Sequence, residues 1–140
     1  MALAALPLVE GGTNGSKRLV VIVDDDHELI EALGDALSDA GFAVDGYTEP
    51  SSALERLRHP PRPCVVIVDF LMPEMDGEQF VRAADALDVG VPVMLLSGRA
   101  RDPETERRLP VQMVLQKPVQ LQRLLEGLGQ LIENHRARSA

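Results

Sequence analysis

From Arg18 onward the chain alternates between two textures. Short β-branched apolar runs end in an acid or a glycine, and longer stretches carry apolar residues at helical spacing. The short runs predict strands at Arg18–Val23, Phe42–Tyr47, Cys64–Val68, Val93–Leu96 and Gln112–Leu115. The first, third and fourth of these are continuously apolar, as expected of central strands covered on both faces. Helical spacing predicts helices over His27–Ala40, Ser51–Leu57, Gly77–Leu87, Pro103–Leu109 and Leu121–Ala137. The first carries the stripe Leu29, Ile30, Leu33, Leu37 and the last Leu121, Leu124, Leu125, Leu128, Leu131, Ile132. Uninterrupted alternation of strand and helix is the pattern of βα units around a parallel sheet, an α/β fold.

Boundary residues agree with these elements. Asp26 stands where the first helix needs an N-cap and Gly41 where it needs a C-cap. Pro50 and Ser51 open the second helix, and Asp76-Gly77 reads as turn and helix-start chemistry. Asp102 before Pro103 reads as a cap with proline at the first helical position, and Pro110 limits that helix to about two turns. Residues 1–16 lack a basic start, and their apolar piece Leu3–Val9 is broken by Pro7 and followed by Gly11, Gly12 and Gly15. They are expected to be a flexible tail and not a targeting segment. The run Gly11–Lys17 fails as a phosphate loop because it has the wrong spacing and precedes a strand instead of following one. The expected organisation is a tail over 1–16, one domain over 17–137 and a short tail over 138–140.

Composition narrows the class. At 140 residues, 45% apolar and 26% charged, the chain suits one soluble domain with one core. Its longest apolar runs are about five residues against the roughly 20 that a membrane-spanning helix needs. A single cysteine, Cys64, excludes an intrachain disulfide and points to a reducing, cytoplasmic setting, and the scattered His27, His59 and His135 form no zinc motif. The net charge of −8 disfavours nucleic acid and anionic lipid as partners. It also suggests that some carboxylates serve a cation.

In an open parallel sheet, ligands bind outside the carboxyl ends of the strands. Those ends carry Asp24, Asp25 and Asp26 after the first strand, Asp69 after the third, Ser97 and Gly98 after the fourth, and Lys117-Pro118 after the fifth. Lys17 and Lys117 are the only lysines in the chain, and Lys117 is the only one in its body. Right-handed crossovers place the first and third strands side by side, so Asp24, Asp25 and Asp69 converge. Carboxylates that close repel unless a cation sits among them, and Mg²⁺ is the usual ion where a few carboxylates share a site with water and phosphate. An aspartate at a strand end can itself be a nucleophile that forms an aspartyl phosphate.

The segments Val21–Asp26, Val66–Gly77, Val93–Gly98 and Gln116–Pro118 resemble the response-regulator receiver family. The resemblance covers about Lys17 to Ala137, and its most specific part is the run D-x-x-M-P-x-M-D-G from Asp69 to Gly77. It implies a flavodoxin-like, doubly wound (βα)5 sandwich with a five-stranded parallel sheet of order 2-1-3-4-5. It implies that Asp69 accepts a phosphoryl group from a phosphohistidine on a sensor histidine kinase or a histidine phosphotransfer protein. Asp25, Asp69 and the main-chain carbonyl of Leu71 would hold Mg²⁺, with Asp24 acting largely through water. Ser97 corresponds to the switch hydroxyl and Lys117 to the lysine that pairs with the phosphoryl group. Pro118 is similar to the proline that often follows that lysine across a cis bond. Such a chain is a stoichiometric phosphoacceptor that catalyses its own phosphorylation and dephosphorylation, not a turnover enzyme.

Two departures from the family pattern matter. Val114 stands three residues before Lys117 where the family usually has Tyr or Phe, and a valine cannot swing a ring between solvent and core. The stretch from Pro103 to Pro110 is short and the usual Gly-Ala before the fifth strand is missing. Output is therefore expected through the first or fifth helix or the loop from Gly98 to Asp102, and homodimerisation is left open. Two alternatives stand beside the phosphoacceptor: a receiver fold that binds a partner without phosphate, and a haloacid-dehalogenase-like phosphatase using Asp24 and Asp26. The second is opposed by His27 and by the short chain. Few residues follow Leu131, so a stand-alone or an excised receiver is expected. Met72 and Met75 are expected to pack the loop, Cys64 to be a small buried strand residue, and Arg56, Arg58 and Arg62 to lie in a surface turn. Arg99 and Arg101 flank the site loop.

Overall fold

A computed structural model describes residues 17–72, 75–98 and 103–139. Strands β1 (Arg18–Val23), β2 (Phe42–Tyr47), β3 (Val65–Asp69), β4 (Val93–Ser97) and β5 (Met113–Gln116) alternate with helices α1 (His27–Asp39), α2 (Pro50–Leu57), α3 (Gly77–Ala86), α4 (Pro103–Arg108) and α5 (Leu121–Ser139). All strand pairs are parallel and the order is β2-β1-β3-β4-β5, the doubly wound arrangement expected.

Strand periodicity sorts the core into two halves. Val20 and Ile22 of β1, Val65 and Ile67 of β3, and Met94 and Leu96 of β4 face α1 and α5, where they meet Ile30, Leu37, Leu124, Leu128 and Ile132. Val21, Val23, Val66, Val68, Val93 and Leu95 face the other way, onto Ala53 and Leu57 of α2 and Phe80, Val81 and Ala84 of α3. Each such side chain contributes about 1.5–3 kcal/mol when fully buried, so the three central strands are apolar on both faces until β3 and β4 end in Asp69 and Ser97. Edge strand β2 carries Asp45 and Gly46 without penalty because only part of it is covered.

Caps hold the helices where the strands leave them. The Asp26 carboxylate accepts from the amides of Glu28 (3.1 Å) and Leu29 (3.2 Å), and Gly41 follows the Ala40 cap with φ of 104°. Asp76 and Gln79 form a reciprocal capping box at 2.9 and 3.0 Å.

Several boundaries move by one or two residues. β3 begins after Cys64 and runs through Asp69, which pairs with Leu96. Cys64 is thus a half-buried residue before the strand, and burial pushes its thiol up to about 11. β5 starts at Met113, and the side chain of the exposed Gln112 before it accepts the Val93 amide at 2.7 Å. α2 includes Pro50, and α5 continues to Ser139, beyond the tail boundary expected at 138, since no glycine or proline follows Ala137 to stop it. The arginine turn is stapled to its own backbone: Arg56 donates to the carbonyls of His59 (2.9 Å) and Pro61 (2.7 Å), and Arg62 to that of Leu57 (3.1 Å). The tail 1–16, Pro73 and Glu74 of the long motif, Arg99, Arg101 and the Asp102 cap lie outside the described residues. Among the described residues no helix is long and apolar enough to cross a membrane.

Glycines set how closely two helices approach the sheet. A Cβ on Gly46 would overlap Cγ2 of Ile30, and one on Gly127 of α5 would sit 2.8 Å from Met113 Sδ and 2.9 Å from Met94 Cε. Gly46→Ala is expected to cost about 1–3 kcal/mol in urea denaturation, because Ile30 is a stiff β-branched neighbour. The cost should shrink in an Ile30→Ala background; strict additivity of the two changes would show that this contact does not set the helix position.

Candidate functional site

The carboxyl ends of β1 and β3 lie side by side, with Val23 paired to Val68. Asp24 therefore emerges next to Asp69, and both are buried, at 2% and 6% exposure, while Asp25 is exposed. One oxygen from each of Asp24, Asp25 and Asp69 lies within 4.8 Å of the others. The predicted convergence is realised, as a half-buried rim of acids with an open side.

Lys117 comes to these acids from the far side of the sheet. Its amide donates to the carbonyl of Ser97 at 2.7 Å, and a cis bond links it to Pro118. Its Nζ stands 2.7 Å from Asp69 Oδ1 and 3.8 Å from Asp24 Oδ2. The lysine is about one-third exposed, so its head reaches the acids while part of it meets solvent.

Asp24 is held by its neighbours on both sides. Its amide donates to the Tyr47 carbonyl at 3.1 Å, and its Oδ1 accepts the Asp26 amide at 2.9 Å. Burial raises its carboxyl to about 6; the Asp26 amide and the Lys117 ammonium oppose the rise, and the charges of Asp69 and Asp25 add to it. Asp26 itself is spent on capping α1, which removes it from the Asp24/Asp26 pair that a dehalogenase-like phosphatase would need.

Ser97, the last residue of β4, is fully buried, and its hydroxyl points to the Gly98 carbonyl at a long 3.4 Å. Leu71, two residues beyond Asp69, is 59% exposed, whereas Met72 is buried and Met75 packs on the α2–α3 side of the core. Val114 is half-buried on that same side. A mostly apolar groove of about 620 Å³ opens beside Lys117, lined by Leu29 and Leu33 of α1, Leu96, Val119 and Leu124 of α5. Sequence reading placed Leu29, Leu33 and Leu124 in helical stripes and Leu96 in a strand, but only the folded arrangement makes them walls of one groove. It also missed the Tyr47 carbonyl, since any residue supplies one.

The comparisons with known proteins agree with this geometry. The family model for the response regulator receiver domain matches residues 20–128. The response regulator receiver protein CpdR of Brucella abortus is 29% identical over 116 residues, spanning 81% of this chain and 95% of that protein. The transcriptional regulatory protein PrrA of Mycobacterium tuberculosis is 39% identical over 85 residues, but the match spans only 34% of its length. Among solved structures, a response regulator receiver protein from Sinorhizobium medicae is similar with a TM-score of 0.74 and 26% identity, covering 84% of this chain and 96% of that one.

The raised Asp24 carboxyl has a consequence for stability. The folded chain holds a proton there through a window, roughly pH 4 to 6, in which the unfolded chain has released it. Stability without divalent cation therefore falls as pH rises through that window, by no more than about 3 kcal/mol, and stays reduced above it. Asp24→Asn should flatten this dependence and be more stable relative to wild type at pH 7 than at pH 4. Parallel urea curves for the two proteins from pH 4 to 7 would count against the burial of Asp24.

Proposed function

The chain belongs to the response regulator receiver domain family, and on that premise we propose that it is a phosphoaccepting switch of a two-component system or phosphorelay. The observation that carries the reading is the Asp69 carboxylate, 2.7 Å from the Lys117 ammonium and within 4.8 Å of Asp24 and Asp25 oxygens. An Asp69 oxygen attacks the phosphorus of a phosphohistidine; the new P–O bond forms as the P–N bond breaks, and the imidazole leaves with its electron pair. Water later attacks the aspartyl phosphate and releases inorganic phosphate, returning the carboxylate. The protein is consumed stoichiometrically in the first step and restored in the second.

Positioning and charge neutralisation supply the catalysis. The donor set, three clustered carboxylates with one open side, suits a hard cation. Asp25, Asp69 and the Leu71 carbonyl would hold Mg²⁺, with Asp24 acting through water. Mg²⁺ when bound supplies positive charge to the phosphoryl oxygens. Lys117 releases Asp69 Oδ1 and pairs with a phosphoryl oxygen, which is why the ammonium must sit on the far side of the acids. The Ser97 hydroxyl, whose contact to the Gly98 carbonyl is long, turns from it toward the phosphoryl group.

The phosphodonor is a histidine kinase or a histidine phosphotransfer protein, and the apolar groove between α1 and α5 is the surface on which it docks. Its walls stand beside Lys117, so a helix seated there presents a histidine to Asp69. The setting is cytoplasmic, and a net charge of −8 leaves nucleic acid outside the partners of this domain. With Val114 in place of an aromatic ring, output leaves through α1, α5 or the loop after Gly98.

Incubation with acetyl phosphate and Mg²⁺ should add one phosphoryl group, read by intact mass and mapped to Asp69. Asp69→Asn should abolish labelling with the fold kept, and Lys117→Ala should keep most Mg²⁺ binding while losing the change linked to phosphorylation. Full labelling of Asp69→Asn would sink the assignment, and no adduct on wild type would favour a phosphate-independent binding module. Leu33→Arg tests the groove: it should slow transfer from a phosphorylated histidine phosphotransfer protein at least about tenfold, equivalent to roughly 1.4 kcal/mol, and leave acetyl phosphate labelling unchanged.

A further inference from the structure

We propose that Gly77, the first residue of α3, is a positioning residue for the phosphoacceptor. Its bare Cα is the surface against which the Asp69–Phe70 backbone is set. This inference rests on the phosphoacceptor reading and names a residue on which that site's geometry depends.

A Cβ built on Gly77 would lie 2.7 Å from the Cα of Phe70, 3.1 Å from the carbonyl oxygen of Asp69 and 3.1 Å from Leu95 Cδ1. Two of these three neighbours are backbone of the phosphoacceptor strand's end, and backbone cannot step aside by changing rotamer. The Gly77 amide also donates to the Phe70 carbonyl at 2.6 Å, while the Phe70 amide donates to the Leu96 carbonyl at 2.9 Å. The segment that follows Asp69 is therefore clamped between β4 and the start of α3.

The need for glycine here is steric. Gly41 and Gly90 take left-handed backbones, and Gly77 does not. Nor can α3 retreat to make room: its first turn is locked by the Asp76–Gln79 capping box, and Phe80 and Val81 are fully buried one turn on. A side chain at 77 is accommodated by displacing Asp69 and Phe70. That displacement disturbs the 2.7 Å pairing of Asp69 with Lys117 and the placement of the Leu71 carbonyl one residue farther on.

The test compares Gly77→Ala with Gly34→Ala. The same change at Gly34 in α1 brings a Cβ only to 3.7 Å from Val44 Cγ1, an ordinary contact. Each variant is checked for cooperative unfolding, then titrated with MgCl2 by NMR and labelled with acetyl phosphate at saturating Mg²⁺. Gly77→Ala is expected to lose about tenfold or more in Mg²⁺ affinity and to label more slowly even at saturation, the size of effect seen when residues supporting metal ligands are changed. Gly34→Ala should match wild type in both. A folded Gly77→Ala within twofold of wild type on both readouts overturns the proposal and leaves the phosphoacceptor reading intact. A wild type that neither binds Mg²⁺ nor labels overturns that reading and this inference with it. If Gly77→Ala does not fold, the wild-type Gly77 amide resonance is followed through the MgCl2 titration. It should shift as the Asp69–Phe70 backbone responds, and an unmoved resonance overturns the proposal.

Discussion

The structure depends on holding two buried carboxylates at the ends of adjacent strands. Asp24 follows β1 and Asp69 ends β3, where packing on both sides strips away most of their water. Left to themselves, like charges in that position destabilise the fold. Lys117 answers them with one ammonium brought from β5, two strands beyond β3. The compensation is partial: burial first, and then the charges of Asp69 and Asp25, keep the Asp24 carboxyl raised against the Lys117 ammonium. A site that is incompletely neutralised favours arriving positive charge, which is the physical basis of the proposed response to a cation and a phosphoryl group.

The remainder of the fold keeps these three groups in register. Central strands made of Val, Ile and Leu tolerate no lateral slip, because a one-residue shift would turn every inward residue outward. The hydrogen bond from the Lys117 amide to the Ser97 carbonyl ties the lysine's backbone to the end of β4, and the one from the Phe70 amide to the Leu96 carbonyl ties the neighbour of Asp69 to the same strand. β4 is thus the common reference for Asp69, Ser97 and Lys117. Close approach at Gly46 and Gly127 sets α1 and α5 against the sheet, and the groove between them opens where Lys117 reaches the surface. Core packing and the groove are two consequences of the same spacing.

Much of this was legible in the amino-acid sequence, and for a stated reason. Strand periodicity, helix stripes and caps are local, so Asp26, Gly41 and Asp76 could be assigned their places from near neighbours alone. Asp24, Asp25, Asp69, Ser97 and Lys117 were candidates because each immediately follows or ends an apolar run, and a parallel sheet sends all such ends to one side. The small errors at β3, β5 and α5 arose where pairing across the sheet or the absence of a breaker decided the boundary.

Sequence by itself determined the alternation of elements, the parallel sheet and the set of acids, hydroxyl and lysine at its carboxyl edge, because these follow from periodicity and chain direction. Only the tertiary structure decided which glycines are steric necessities. Gly34 and Gly77 look alike in the chain, yet one faces an ordinary contact and the other the backbone at the end of β3. It likewise decided that Asp24 is buried, which raises its carboxyl to about 6, and that leucines of α1 and α5 wall a common groove. Those properties depend on distances between residues far apart in the chain, which no local pattern encodes.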